Sequence, residues 1–355
     1  MKLLDRFAVV VLLAIASAAT PFAVTAQSGK PLAGDGKLNV YFVDVEGGQS
    51  TLFVTPAKQS LLIDTGWPDN NGRDADRIVA VAKQAGLTKI DYVLLTHYHQ
   101  DHVGGIPQLV ARIPVGAFID HGPLREPNEP ATKRGYEEYQ KVLASGNAKH
   151  ILAKPGDVLP IRGIEATVIS ADGSLIPNAM PGGGETNPYC ASSETRPPDQ
   201  TENSRSAGVE IKFGKLKILD LGDLTWDKEM QLMCPINKLG HVDVYIVSHH
   251  GWYQSSSPAL VDAIHARVAI MDNGEKKGGS TPTLETIEKA PGLEALWQLH
   301  YSDEGGSEHN TAEKYIANPQ GADAGHDIEL TGDRDGSFDV MNSRTNFTQT
   351  FAAAH

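Results

Sequence analysis

From Leu38 onward, short apolar runs alternate with polar, glycine-rich breaks. LNVYFVDV (Leu38–Val45), STLFVT (Ser50–Thr55) and SLLIDT (Ser60–Thr65) are bounded by Gly-Gly-Gln and Pro-Ala-Lys, which predicts strands joined by turns. RDADRIVAVAKQAG then places its apolar residues at helical spacing and stops at Gly86. IDYVLLTH reads as a buried strand, a helix is predicted near Gly105, and GAFID (Gly116–Asp120) reads as another strand. A charged helical insert is predicted over about Glu126–Ser145, with short strands near HILAK and IEATVIS.

Between Ile176 and Ser204 periodicity disappears, and Pro, Gly, Ser, Thr and Asn dominate. A structureless stretch of about thirty residues inside a domain is uncommon; it is either a binding loop or a tolerated insertion. The strand pattern then returns in SAGVEIKF, LKILDLGDL and VDVYIVSHHGW. Predicted helices near Pro258–His265 and Thr283–Ala290 lead into RVAIMDN and EALWQLHY, and HDIELTG with SFDVMNS predicts a closing hairpin with Asp-Gly at its turn. A meander followed by strands alternating with helices implies an α/β fold in which sheets pack inside helical layers.

The N-terminus changes the compartment. Lys2 and Arg6 precede an apolar run, Phe7–Ala19, and Val24-Thr25-Ala26 forms a small-x-small site before Gln27. Residues 1–26 therefore read as a signal peptide, too short in apolar length to serve as a stable membrane anchor, and the protein as exported, periplasmic or secreted. Residues 27–37 read as a flexible segment, 38–345 as one domain with inserts near 122–150, 176–204 and 302–325, and 346–355 as a C-terminal tail. The whole chain carries a net −13; two positive charges and one negative leave with the signal peptide, which makes it −14. That balance points to a small-molecule substrate and away from nucleic acid. Cys190 and Cys234 are the only cysteines. Export permits a disulfide, but two positions fix no distance, and the bridge stays open at this level, as does the oligomeric state.

The densest chemistry is LLTHYHQDHVGG, Leu94–Gly105, with the pattern H-x-H-x-D-H at the end of an apolar strand. Side chains two apart on an extended segment share a face, so His97 and His99 can point together; Asp101 and His102 follow where the chain turns. Imidazole and carboxylate suit zinc, manganese or iron. Other strand ends offer partners: Asp223 in LDLGDL, His249 and His250 in YIVSHHG, and Asp64 in LLIDTG, the last suited to orient a ligand histidine.

Together VDVEGGQST, LIDTG, THYHQDH, LGD and SHHG resemble the metallo-β-lactamase-fold superfamily, and within it the branch of competence DNA-uptake channel hydrolase domains and phosphorylcholine esterase. The resemblance covers roughly residues 38–300. It implies a four-layer αββα sandwich with two divalent metal ions at one sheet edge, zinc first, manganese or iron otherwise. His97 and His99 would bind the first ion, Asp101 and His102 the second, and Asp223 would bridge. Neighbours on a strand point oppositely, so only one of the adjacent histidines should face the metals; the gapless match at IVSHH favours His250 as ligand and leaves His249 to face substrate or to brace a ligand from behind. Two departures stand out. The opening motif has Glu46 inserted and Ser50 at a usually acidic place, and TENSRSAGVEI lacks a histidine that the superfamily often has, leaving Asn203, Ser206 or water in its stead.

Such a site implies hydrolysis by water shared between two cations, with Asp101 orienting it and accepting its proton and His249 bonding an oxyanion or leaving group. A phosphoester or phosphodiester is the first substrate class. The alternatives are a β-lactam or lactone on the same site, or a non-catalytic binding protein on a degenerate one. Trp252 and Tyr253 would wall the substrate pocket or pack in the core. His121, His150, His241, His265, His300, His309, His326 and His355 read as surface or structural, with His121 and His300 nearest a pocket because they end apolar strands.

Overall fold

The computed structural model describes residues 36–68, 70–321 and 323–354. The signal-peptide reading of 1–26, most of the segment 27–37, and His355 lie outside them.

The first half runs β1 (Leu38–Phe42), β2 (Thr51–Val54), β3 (Ser60–Ile63), α1 (Arg73–Gln84), β4 (Ile90–Leu94), α2 (Gln100–Val103), α3 (Ile106–Val110), β5 (Val115–Asp120), α4 (Pro130–Ala144) and β6 (Lys149–Leu152). Next come β7 (Glu165–Val168), a small hairpin of β8 (Ser170–Ala171) and β9 (Ser174–Leu175), and β10 (Glu185–Thr186). The second half holds β11 (Val209–Phe213), β12 (Leu216–Asp220), α5 (Trp226–Met233), β13 (Ile236–Asn237), β14 (Val244–Ile246), α6 (Pro258–Ile264), β15 (Val268–Met271), α7 (Thr281–Glu288), β16 (Ala295–His300), α8 (Gly306–His309) and β17 (Ile316–Asn318). The chain closes with β18 (Ile328–Gly332), β19 (Phe338–Asn342) and β20 (Phe347–Phe351).

Two large sheets result, ordered β20-β19-β18-β1-β2-β3-β4-β5-β6 and β17-β16-β15-β14-β12-β11-β7. Each is antiparallel on one side and parallel on the other: β3 to β6 run parallel in the first, β12 through β17 in the second. Strand periodicity divides the apolar residues between cores. On β1, Val40 and Phe42 enter the core shared with the other sheet, and Tyr41 turns to the opposite face. On β14, Val244 and Ile246 point inward while Tyr245 meets the outer helices. The outer core of the first sheet includes Ile78 of α1, Leu109 of α3 and Tyr139 of α4; that of the second includes Leu232 of α5, Leu260 of α6 and Ile287 of α7. This is the four-layer αββα sandwich. It explains why the parallel strands read as continuous apolar runs: both of their faces are covered.

Some predicted elements take a different form. The helix near Gly105 is two short helices, α2 and α3, broken at Gly104-Gly105. A Cβ on Gly105 would lie 2.0 Å from the Thr65 carbonyl oxygen, so the break lets this turn lie against the loop after β3. Within 346–355, read as a tail, β20 pairs with β19 along five residues, and the 302–325 insert contributes edge strand β17. Both strands are short, three residues in β17 and five in β20, and three of the five in β20 are polar, so neither gives an apolar run.

The aperiodic segment 176–204 is fastened at several points. Cys190 and Cys234 form a disulfide with Cα atoms 5.8 Å apart. The Asn187 amide donates to the carbonyls of Met233 (3.0 Å) and Ala259 (2.8 Å), and Arg196 stacks 3.5 Å over the Trp226 ring. The segment thus lies along α5 and α6 and brings Glu202 and Asn203 to the ends of the sheets.

Candidate metal centre

The site forms where parallel strands of both sheets end. Asp64 follows β3, His97 to His102 follow β4, Asp223 follows β12, His249 and His250 follow β14, and Asp272 follows β15. Asp64, His249 and His250 have φ of 59°, 56° and 53°, in the left-handed region that ordinary residues avoid. The reason is local for the histidine pair. They sit in a tight turn, Ser248–Gly251, not on a strand, so strand alternation does not separate them. Both rings reach Asp223: His249 Nε2 lies 3.4 Å from Oδ2, and His250 Nε2 lies 3.5 Å from Oδ1. The premise that only one of the pair can face the centre therefore fails on backbone geometry.

Asp101, His102, Asp223 and His250 converge, all buried. His102 Nε2 lies 3.2 Å from His250 Nε2, 3.4 Å from Asp101 Oδ2 and 3.3 Å from Asp223 Oδ2. His250 Nε2 lies 3.2 Å from Asp101 Oδ2. A tetrahedral zinc with ligand bonds of about 2.0–2.1 Å has ligand atoms about 3.3 Å apart. The four side chains present that spacing, and buried Asp223 Oδ1 has no hydrogen-bond partner among the described residues. The donor set fits a divalent cation.

Beside it, His97 Nε2 lies 3.0 Å from His99 Nδ1 and 3.8 Å from Asp223 Oδ2. Asn203 Nδ2 lies 3.4 Å from His249 Nε2. Asn203 Oδ1 and Ser206 Oγ are buried without hydrogen-bond partners among the described residues. Sparser than the first group, this second set could hold a second cation with Asp223 between the two.

Each ring that turns one nitrogen inward anchors or aims the other. His102 Nδ1 meets Asp64 Oδ2 at 2.7 Å, His97 Nδ1 meets Thr96 Oγ1 at 3.0 Å, and His99 Nε2 meets Glu126 Oε2 at 3.1 Å. His250 Nδ1 faces Asp272 Oδ1 at 3.4 Å. Such outer partners fix the tautomer that leaves the inner nitrogen free to bind. Asp64 occupies the orienting place that its strand-end position suggested. Thr96, Glu126 and Asp272 were missed. Asp272 carried the same signal as Asp64, an acid ending an apolar strand; Glu126 lies in a polar loop with no signal at all.

Charge shifts follow from this crowding. Burial alone would lower His102, but the carboxylates of Asp223, Asp101 and Asp64 outweigh it and hold the ring well above its ordinary value. Burial would raise Asp223, yet His102, His249 and His250 hold it well below. Asp101 is likewise held well below against burial, by the Lys277 ammonium and His102. His249 is pushed down to about 4 by burial, only partly offset by Asp223. His97 is also lowered, by burial and by neighbouring rings.

Trp252 lines a cavity of about 300 Å³ with His249, His250, Lys276 and Lys277. Tyr253 is exposed and lines the neighbouring groove beside Trp226 and Arg196, so neither aromatic is core. His121 is paired with buried Glu202 (2.9 Å), and His300 with buried Asp44 (2.7 Å), both outside the cluster.

Residues 44–186 match the Metallo-beta-lactamase superfamily. That stretch is a metallo-beta-lactamase superfamily domain. Among curated relatives, the hydroxyacylglutathione hydrolase of Stenotrophomonas maltophilia is 43% identical over 83 residues, 23% of this chain and 31% of that protein. Recombination protein 2 of Haemophilus influenzae is 23% identical over 70% of this chain and 26% of its own length. ComE operon protein 3 of Bacillus subtilis is 22% identical over 69% of this chain and 29% of its own length. The matches thus span less than a third of each of these three relatives. Among solved structures, the metallo-beta-lactamase fold protein YhfI of Bacillus subtilis superposes with a TM-score of 0.44 at 14% identity, over 74% of this chain and 95% of that one.

Proposed function

We propose that this chain is an exported, metal-dependent hydrolase of a small phosphoester or phosphodiester. The near-tetrahedral spacing of Asp101, His102, Asp223 and His250 carries the metal reading. Two divalent ions, zinc first by donor type, would supply Lewis acidity towards a substrate oxygen and a lowered pKa for water. His97, His99 and Asp223 would hold one ion; Asp101, His102, His250 and Asp223 would hold the other.

The chain's own groups have distinct tasks. Asp101, kept ionised by Lys277 and His102, orients the attacking water by accepting its hydrogen bond; its low proton affinity makes it a weak base. His249, neutral near pH 7, hydrogen-bonds the developing oxyanion or leaving group from the cavity side. Asp64, Thr96, Glu126 and Asp272 hold the rings in register.

The phosphoester preference follows the branch resemblance, supported by the length over which Recombination protein 2 and ComE operon protein 3 align with this chain. The same donors would serve a β-lactam, a lactone or, by the local likeness to hydroxyacylglutathione hydrolase, a thioester. Export is supported by the leader-like N-terminus and by the disulfide, a bond that persists in oxidising compartments. Among the described residues no helix is long and apolar enough to cross a membrane.

The test is elemental analysis of protein purified without added metal, followed by a panel of bis(p-nitrophenyl) phosphate, a phosphorylcholine ester, a chromogenic cephalosporin and an acyl-homoserine lactone. Bound transition metal and chelator-sensitive phosphodiester cleavage support the proposal. Cephalosporin cleavage alone overturns the substrate class, and absence of both metal and chelator-sensitive turnover overturns the enzyme.

A further inference from the structure

The loop after β15, Gly274 to Gly279, carries two adjacent lysines to the mouth of the centre. Lys277 Nζ donates to the Gly47 carbonyl at 2.6 Å, pairs with Asp101 Oδ2, and lies 5.3 Å from the centroid of the Trp67 ring. The loop is seated closely. Gly274 N bonds Lys277 O at 2.8 Å, and a Cβ on Gly47 would stand 2.9 Å from Gly274 N. An ammonium has three donors, and two of those on Lys277 are used, on the Gly47 carbonyl and Asp101, which leaves one. Lys276 is exposed, lines the same cavity as Lys277, and is paired with no carboxylate among the described residues. Trp252, His249 and His250 complete its lining. Two cationic side chains thus line one cavity in a chain whose net charge is −13.

We propose that Lys276 and Lys277 form an anion-binding subsite beside the metal-ligand cluster, which selects a small substrate bearing a negative charge and a flat apolar group that lies on Trp252. This rests on the hydrolase reading above and adds to it the charge and shape of the substrate. Local ammonium groups attract a compact anion at short range, whereas the acidic surface repels a long polyanion. The cavity, at about 300 Å³, has room for a small ligand.

The experiment compares parent, Lys276→Met and Lys276→Met/Lys277→Met in two arms. In the first, kcat/KM is measured on metal-loaded protein for bis(p-nitrophenyl) phosphate, an anion, and p-nitrophenyl acetate, a neutral ester. The anion-to-neutral ratio falls roughly tenfold in the single variant and towards a hundredfold in the double, the scale of hydrogen bonds to charged groups. In the second arm, bis(p-nitrophenyl) phosphate binding to metal-free protein is followed by calorimetry, and the double variant binds at least about tenfold more weakly. An unchanged ratio, or equal losses on both substrates, overturns the subsite, because lysines that only brace Asp101 affect both esters alike. If the metal-loaded parent cleaves neither ester, the phosphoester reading fails, and the binding arm alone decides: unchanged affinity in the double variant overturns the subsite.

Discussion

Replacing Asp64 by Asn tests whether the cluster binds metal through a tautomer set from behind. Asp64 Oδ1 accepts from Thr96 N at 2.8 Å, and Oδ2 accepts from Thr96 Oγ1 at 2.6 Å and from His102 Nδ1 at 2.7 Å. Asparagine has the same shape and tolerates the left-handed backbone at this position, so the fold is not strained by the change. Its oxygen still serves Thr96 N, but its NH2 now faces His102 Nδ1, donor against donor. Flipping the amide moves the same conflict to Thr96 N. His102 relieves it by shifting its proton to Nε2, the nitrogen that faces His250, Asp101 and Asp223. A protonated Nε2 cannot ligate. Loss of such an outer partner typically weakens metal affinity about 10- to 100-fold, or about 1.4–2.8 kcal/mol. The assay is competition for zinc against a chromophoric chelator at fixed pH, with melting of the metal-free protein as the control for folding. Zinc affinity within twofold of the parent, in a variant that melts normally, would refute the tautomer argument.

Three further outcomes follow from the same geometry. Zinc affinity should rise with pH between 5.5 and 8, because His102, held well above its ordinary value without metal, must release its proton to ligate; a flat profile in chelator competition contradicts this. Cys190→Ser/Cys234→Ser should lose about 4 kcal/mol of unfolding free energy in urea titration, the chain-entropy value for a closure across 44 positions, and a loss below about 1 kcal/mol would show that the other anchors of segment 176–204 suffice. Burial pushes Asp220 up to about 7, so the folded state keeps a proton that the unfolded chain releases above about pH 4, and stability falls as pH rises from about 4 to 7. Asp220→Asn removes that fall, by up to about 4 kcal/mol, while Gln49 can turn its amide to keep the hydrogen bond; the melting advantage of the metal-free variant should widen from pH 5 to pH 7, and a constant gap contradicts it.

Much of the fold was legible because burial on both faces leaves a strong imprint on a strand. β1, β4, β5, β12 and β16 coincide with apolar runs bounded by Gly, Pro or polar residues, and α1 and α6 with helical spacing. β17 was hidden because it is only three residues long, and β20, FTQTF, because three of its five residues are polar. The histidines and acids at strand ends were legible for a related reason: an ionisable side chain directly after a buried run marks a point where the chain leaves the core.

Local pattern therefore determined which segments enter the sheets, which side chains emerge at their ends, and what chemistry those donors can support. It could not determine distances between segments far apart in the chain. Only the packing of two sheets set Asp101 and His102 against Asp223 and His250, and only the left-handed turn at Ser248–Gly251 aimed both histidines at one carboxylate. Glu126 beside His99 and Lys277 beside Asp101 likewise come from loops whose sequences carry no periodic signal. Periodicity is a short-range property of the chain, whereas ligand spacing is fixed by contacts across more than a hundred residues, and these exist only once the cores have closed.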